Sequence, residues 1–385
     1  MLGNEKRATL AGRAMAVGVC LALVSTCQAA GPGPVLPELV TAEVQKSIDR
    51  GLNYLAKTQR NDGSWLSQGG MGTYPSVATS LAAMALLSSG STPSSGPYAH
   101  NVSKAMRYLL SVAEAPAANG QPDGLIGGPG SEGRSMYGHG FATLFLAQCC
   151  GMGLDKETEV RLHNVLDRAV SVIEHSQSDL GPALKHAGGW YYTPQSGSDE
   201  GSVTVTQLQA LRACRNSGIK VHVSNIERAV AYLKYCQNAD GGICYSAASR
   251  GGSTQAISSA AIACFYSAGI YDRAAGGTEG AEATMVDKLI KYVRQNVVPG
   301  ASNGGQGHDF YITMYLSEAW YVRGASNPAA AGEWKDYYRT ITKRLMSQQA
   351  PDGSWAGDQV GTAYGTGIAV MVMELPYGYL PICQK

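Results

Sequence analysis

The stretch Gln59-Arg60-Asn61-Asp62-Gly63-Ser64-Trp65 returns near the other end of the chain as Gln349-Ala350-Pro351-Asp352-Gly353-Ser354-Trp355. Weaker copies lie between them: Gln121-Pro122-Asp123-Gly124, Gly188-Gly189-Trp190, Gln237-Asn238-Ala239-Asp240-Gly241-Gly242 and Gly304-Gly305-Gln306-Gly307. Six copies at a period of roughly 50–60 residues mean six units, each able to bury its apolar face only against its neighbours. Glycine permits the backbone reversal in each loop. The Gln and Trp side chains are expected to tie the end of one helix to the start of the following inner helix. Gln59, Gly63, Trp65, Gln349, Gly353 and Trp355 are therefore assigned to the scaffold.

Two kinds of helix alternate around these loops. Before each loop, large apolar residues recur at i, i+4 and i+7, as in Ile48/Leu52/Leu55, Val102/Met106/Leu109 and Val286/Ile290/Val293, with charged residues between them. Such a helix has one wet and one buried face and belongs on the outside. After each loop come stretches 77–87, 141–150, 203–213, 256–266, 312–322 and 365–375, rich in Ala, Ser and Thr and nearly free of charge apart from Arg212, Glu318 and Glu374. A helix apolar or small all round is surrounded by other helices. Six outer and six inner helices have a closed solution, an all-α, single α/α toroid, which leaves no apolar end face to cap. Negligible sheet is expected.

Of the 385 residues, 44% are hydrophobic and 15% charged, with a formal net charge of +1. Residues 1–29 carry Lys6, Arg7 and Arg13 against Glu5, so the remainder sits near −1. That balance offers neither a nucleic-acid backbone nor an anionic membrane a partner. The basic start, the apolar stretch 14–24 and the small residues up to Ala29 have the form of a secretory signal, too short for a permanent transmembrane segment. The expected organisation is a signal peptide at 1–29, a Pro/Gly-rich linker at 30–43 and a toroid at 44–385, exported to periplasm or exterior. A lipid anchor on Cys27 is the weaker reading, because Thr26 fits a lipobox poorly. Seven cysteines would remain, an odd number that excludes a fully paired framework; Cys236 and Cys244 flank one loop and are the pair best placed to join.

At its repeat loops the chain resembles the terpenoid cyclase and protein prenyltransferase superfamily. Its Gln…Asp-Gly-Ser-Trp loops look like the Gln–Trp motifs of squalene–hopene cyclases, within the prenyltransferase and squalene oxidase repeats. The resemblance covers residues 44–380 and implies the toroid fold. The acidic Asp-x-Asp-Asp motif of those cyclases is missing, and the nearest acidic segment is Ser198-Asp199-Glu200-Gly201-Ser202. Two adjacent acids there either hold a proton by mutual repulsion or cap the third inner helix. Asp309-Phe310-Tyr311-Ile312-Thr313-Met314-Tyr315 is similar to the Asp-x-Tyr-His-Thr-x-Tyr stretch of prenyltransferase β subunits, but Ile312 stands where the zinc-ligand His belongs. No other Cys/His cluster has zinc spacing along the chain, so no metal and no cofactor are expected.

All inner helices should begin at one end of the ring, beside their loops. Their first turns carry Tyr74, Thr79, Tyr137, His139, Asp199, Thr204, Thr254, Ser258, His308, Asp309, Tyr311, Tyr364 and Thr366. Helix starts offer free N–H groups and a positive dipole end, which makes this rim the candidate site. Asp199, Glu200, His139 and Asp309 are the catalytic candidates. Tyr137, His139, His308, Asp309, Tyr311 and Tyr364 are the ligand-binding candidates. His139, flanked by Gly138 and Gly140, is expected to be accessible for proton transfer or anion binding; the alternative is that it braces a neighbouring loop. The functional expectation is a toroid that binds an unknown small molecule or an envelope protein at this rim. The alternatives are an isoprenoid cyclase or transferase with a non-standard acid set, and a carbohydrate-active toroid enzyme using Asp309, Glu318 or His139 in a cleft.

Overall fold

Helix character follows side-chain size and capping. Every residue of α2 (Pro75–Ser88) after Pro75 is buried, and its Ala and Ser side chains let neighbouring helices approach closely. By contrast, α1 (Ala42–Thr58) buries only Val44, Ser47, Ile48, Gly51, Leu52 and Leu55 along one face, and Thr41 caps its start by accepting from the Val44 N–H. The remaining outer helices are α3 (Ala99–Glu114), α5 (Lys156–Ser176), α7 (Val223–Cys236), α9 (Ala281–Asn296) and α11 (Pro328–Gln348). The remaining inner helices are α4 (Ser135–Cys149), α6 (Gly201–Asn216), α8 (Gln255–Ser267), α10 (Asp309–Ser326) and α12 (Thr362–Glu374). The computed structural model describes residues 36–384 except 68, 71, 118–119, 128–131, 180–186, 195–196, 274–275, 278–279 and 300–307. The expected signal at 1–29, residues 30–35 of the linker and the copy at 304–307 lie outside the described residues.

The inner helices pack in order, α2 on α4, α4 on α6, α6 on α8, α8 on α10 and α10 on α12, and α12 returns to α2. The outer helices lie around them, with α1 joining the ring's two ends by contacting α2, α11 and α12. The protein is an α/α toroid. Among the described residues the sheet is confined to one small hairpin, β1 (Ile243–Cys244) against β2 (Ser253–Thr254). Past α12, two 3₁₀ turns at Leu375–Tyr377 and Pro381–Cys383 pack on α10, and the second also on α6. Gln148 accepts from the Ile382 N–H at 3.2 Å and Arg212 donates to the Gln384 carbonyl at 2.6 Å, so this tail covers the end of the ring away from the repeat loops.

The repeat loops that carry Trp65, Trp190 and Trp355 are three-way joints. The Trp65 indole N–H donates to the Leu55 carbonyl of its own outer helix at 2.9 Å, while its backbone N–H donates to Thr79 of the following inner helix at 3.0 Å. Trp190 repeats this with Ile173 and Thr204, and Trp355 with Leu345 and Thr366. The glutamines do something else, which corrects the expectation that they reach the following inner helix. Gln59 donates to Gly63 of its own loop and to the Asn101 carbonyl of the next outer helix. Gln177 bonds Asn225 and Gln237 bonds Met285 in the same way. Gln349 donates to the Ser47 carbonyl at 2.9 Å and accepts from the Ser47 hydroxyl at 2.9 Å, closing the circle over 302 residues. The outer helices are thus stitched edge to edge by amides, and inner to outer by tryptophans.

The loop glycines are required by that stitching. Gly63 has φ +96°, and a Cβ there would lie 2.3 Å from the Lys104 carbonyl oxygen of the next outer helix. Gly188, Gly241 and Gly353 approach the Arg228, Lys288 and Arg50 carbonyls in the same way. The basic side chains at three of these positions fold back onto the loop they press against: Lys104 on the Arg60 carbonyl, Arg228 on Ser178 and Arg50 on Ala350. Gly63→Ala is expected to cost about 2–3 kcal/mol through positive-φ strain and displacement of α3. Gly251→Ala, where a Cβ meets nothing within 4 Å, should stay within about 0.5 kcal/mol. Urea unfolding of both variants checks the contrast.

All seven described cysteines are free thiols, and six of them are buried. Cys236 and Cys244, the pair best placed to join, are accordingly not bonded.

Candidate functional site

The rim residues divide into those that hold the ring together and those that face one another. His139 belongs to the first group. It is fully buried, its Nδ1 accepts from the Ile126 N–H at 3.0 Å, and its Nε2 meets the Ala169 carbonyl at 3.0 Å. His139 thus stands where Thr79, Thr204 and Thr366 stand in other units, and Ile126 where the tryptophans stand. Burial pushes its imidazole down to about 4, so it is neutral at physiological pH. The expected accessibility between Gly138 and Gly140 is therefore corrected: a Cβ at Gly138 would meet Glu132 Oε2 and one at Gly140 would meet Thr206. The glycines admit close neighbours, not solvent.

Asp199 is also engaged on all sides. Its carboxylate accepts from the Tyr232 hydroxyl and from the Ala247 and Ala248 N–H groups, pinning the loop that follows β1. Asp309 turns outward to Arg344 of α11 at 3.2 Å. His308 is exposed and supplies no side-chain cap to α10. That cap comes from Asp358, which accepts from the Phe310 and Tyr311 N–H groups at 2.7 and 3.1 Å. Burial raises the Asp358 carboxyl to about 6 despite those bonds. Tyr364 lies nearly buried within the field of Asp358.

Three of the candidates do converge. Glu200 caps α6 through the Val203 N–H at 2.8 Å and also faces the Tyr137 hydroxyl at 3.5 Å. Ser202 bridges the two, bonding both the Tyr137 hydroxyl and the Glu200 carboxyl. The Tyr311 hydroxyl donates to the Ser202 carbonyl at 3.3 Å. Burial pushes the Glu200 carboxyl up, against the lowering influence of Ser202, the Val203 N–H and Tyr245. Three inner helices, α4, α6 and α10, thereby meet around one acid.

Around this acid stands a group that chain order conceals. Arg134 lies 4.3 Å above the Tyr192 ring and within the field of Tyr137, Tyr74 and Tyr245. Tyr137 and Tyr192 have ring centroids 5.9 Å apart, Tyr191 lies against Tyr192 at 4.6 Å, and the Tyr192 and Tyr245 hydroxyls are bonded. Tyr245 is 44% exposed and Arg134 faces solvent, so the cluster runs from the surface down to buried Glu200. Sequence reasoning missed Arg134, Tyr192, Tyr245, Ser202 and Asp358. A signal for two of them was present: Tyr192 and Tyr245 each stand two residues after the loop N–H that bonds an inner-helix hydroxyl, Trp190 to Thr204 and Ile243 to Ser258.

A second enclosed polar group lies deeper in the ring, toward the tail. Glu318 accepts both carboxyl bonds from the Gln209 amide at 2.9 Å, in a cavity lined by Leu81, Met84, Phe141, Met314, Met371 and the tail residue Ile382, among others. Desolvation raises Glu318 to about 7, although Gln209 and Arg212 oppose it. The cavity measures about 30 Å³, against the several hundred Å³ of a small-molecule site.

The chain matches no family model and no curated protein sequence. Its fold is similar to solved structures. The GH76A α-1,6-mannanase from Salegentibacter sp. HEL1_6 superposes with a TM-score of 0.61 at 12% identity, covering 87% of this chain and 99% of that one. An inactive variant of that enzyme in complex with α-1,6-mannotriose gives 0.60 at 11% identity, with the same coverage. The type II terpene cyclase MstE from Scytonema, in complex with geranylgeranyl dihydroxybenzoate, gives 0.53 at 13% identity over 88% of this chain and 98% of that one. Both neighbours are toroids, one acting on a glycan and one a terpene cyclase. At these identities the likeness defines the class by fold. No helix among the described residues is long and apolar enough to cross a membrane.

Proposed function

We propose that this chain is an exported ligand-binding toroid whose rim, at Arg134, Tyr137, Tyr192, Glu200 and Tyr245, takes a hydroxyl-rich ligand, an oligosaccharide. The observation that carries the reading is the graded cluster itself, with an exposed ring and guanidinium outside and a buried acid of raised pKa within. Tyrosine faces pack on the apolar faces of sugar rings while their hydroxyls, Ser202 and the Glu200 carboxyl exchange hydrogen bonds with hydroxyl groups. The Glu200 carboxyl, its pKa raised by burial, accepts from hydroxyl groups when ionised and both accepts and donates when protonated. The complex of the mannanase variant with a mannotriose supports the class of ligand for a toroid of this shape.

The isoprenoid reading asks for a central cavity that holds a polyisoprenoid chain, and the space beside Glu318, about 30 Å³, is not that cavity. Titration of the protein with a panel of neutral and uronic-acid-bearing oligosaccharides tests the proposal calorimetrically. Tyr245→Ala and Arg134→Ala are each expected to weaken binding about tenfold, the loss of one stacking or charge-assisted contact. No heat with any glycan, or wild-type affinity in both variants, would remove the assignment.

A further inference from the structure

The sequence offers no Cys/His pair at zinc spacing, yet the fold assembles one between the end of α4 and the start of α5, at the opposite end of α4 from the rim. At the end of α4 the chain passes Cys150 and turns back through Gly151 and Gly153, both at positive φ, +72° and +76°. This turn lays Cys150 against the first two turns of α5. There Glu159 and His163, four residues apart and so on one helix face, present their side chains to it. One ligand atom from each of Cys150, Glu159 and His163 lies within 4.8 Å of the others. His163 Nε2 and Glu159 Oε1 are 3.4 Å apart. Donors around a tetrahedral zinc, at about 2.0–2.3 Å from the metal, stand roughly 3.5 Å from each other. The three donor atoms, all within 4.8 Å of one another, thus stand near that spacing.

Three further features favour a site over a surface ion pair. All three residues are half-buried, which leaves a path for an ion and shelters the donors from full hydration. Glu159 Oε1 already accepts the Gly151 N–H at 3.0 Å, so the turn that delivers Cys150 also orients the carboxylate, as an outer-shell bond does in metal sites. Cys150 is the one described cysteine that is not buried, so the thiol at this turn is the one that an ion can reach.

We propose that Cys150, Glu159 and His163 form a binding site for a divalent transition metal, zinc by donor type, with a fourth position left to solvent. A thiolate, an imidazole and a carboxylate select zinc or cobalt over calcium or magnesium, which take oxygen donors. As the Sγ–metal bond forms, the thiol proton leaves to solvent. The bound ion clips the end of an inner helix to the start of the next outer one, and stands apart from the rim reading, which survives or fails independently.

The test is titration of the metal-free full-length protein with Co²⁺, followed by its near-ultraviolet thiolate-to-cobalt charge-transfer band, and then competition with Zn²⁺. The expected result is a band that saturates at one equivalent and is bleached by one equivalent of Zn²⁺. Cys150→Ser should abolish the band. His163→Ala, at a half-exposed position that leaves the fold intact, should keep a weakened band with affinity reduced by at least about tenfold, the loss seen on removing even an outer-shell partner. Absence of a band overturns the proposal, as does a band that persists in Cys150→Ser or an affinity unchanged in His163→Ala.

Discussion

Trp355→Ala is expected to lower the unfolding free energy by about 3–5 kcal/mol, the largest loss from any single loop position. Trp355 is 1% exposed, donates its indole N–H to Leu345 at 2.7 Å, and its backbone N–H meets Thr366 at 3.0 Å. Its ring also lies against Gly51 of α1, where a Cβ would come within 3.0 Å of it. Truncation therefore leaves a cavity and an orphaned Leu345 carbonyl at the joint where the last unit meets the first. Closure makes the loss cooperative, since α1 loses packing against both α11 and α12. Chemical unfolding followed by tryptophan fluorescence and circular dichroism checks it, and an unchanged midpoint would show that the ring does not depend on this joint.

The second large effect is on pH dependence. Glu318 titrates at about 7 in the folded ring against 4.5 as the reference value. Between those values the folded state holds a proton that the unfolded state has released, so stability falls as pH rises through the window. The loss totals on the order of 3 kcal/mol. Glu318→Gln keeps an amide beside Gln209 and has no proton to lose. Relative to wild type, it should be near neutral at pH 4 and more stable by that amount at pH 8. His139 acts with the opposite sign: held down to about 4, it makes stability rise with pH between there and 6.5. The other raised carboxyls, Glu200, Glu374 and Asp358, share the sign of Glu318. For that reason the difference between variant and wild type isolates Glu318, and a difference that is flat across the window would refute its burial as an acid.

The fold was legible because its cause is local and repeated. The apolar stripe Ile48/Leu52/Leu55 and the all-buried run of α2 each declare their place through periodicity alone, and the recurrence of the glycine loop, from Gln59–Trp65 to Gln349–Trp355, counts the units. The role of the glutamines was less legible. A Gln after an outer helix has the same sequence neighbours whether it reaches inward or sideways. Only the distance between α1 and α11 makes Ser47 the partner of Gln349.

The candidate site was legible in part. Glu200, Tyr137 and Tyr311 were selected as polar residues at inner-helix starts and do meet, but Asp199 beside Glu200 points to the opposite side of the same chain segment. Successive residues in extended backbone face opposite ways, and Glu200 is extended at φ −156°. Composition could not tell which of the two acids looks into the ring. Arg134 and Tyr245 drew no notice because each is an ordinary surface residue until 111 positions of chain are folded between them.

By itself the sequence determined how many units there are, which face of each helix is buried, where glycine is obligatory and that the ends must meet, because these follow from side-chain size, backbone freedom and spacing along the chain. Tertiary structure alone decided which polar groups become a site. Ser202 meets Tyr311 across 109 residues, Tyr192 meets Tyr245 across 53, and Cys150 reaches Glu159 and His163 through a turn. Such convergence depends on the radius and phase of the ring, and hence on the packing of all six units at once.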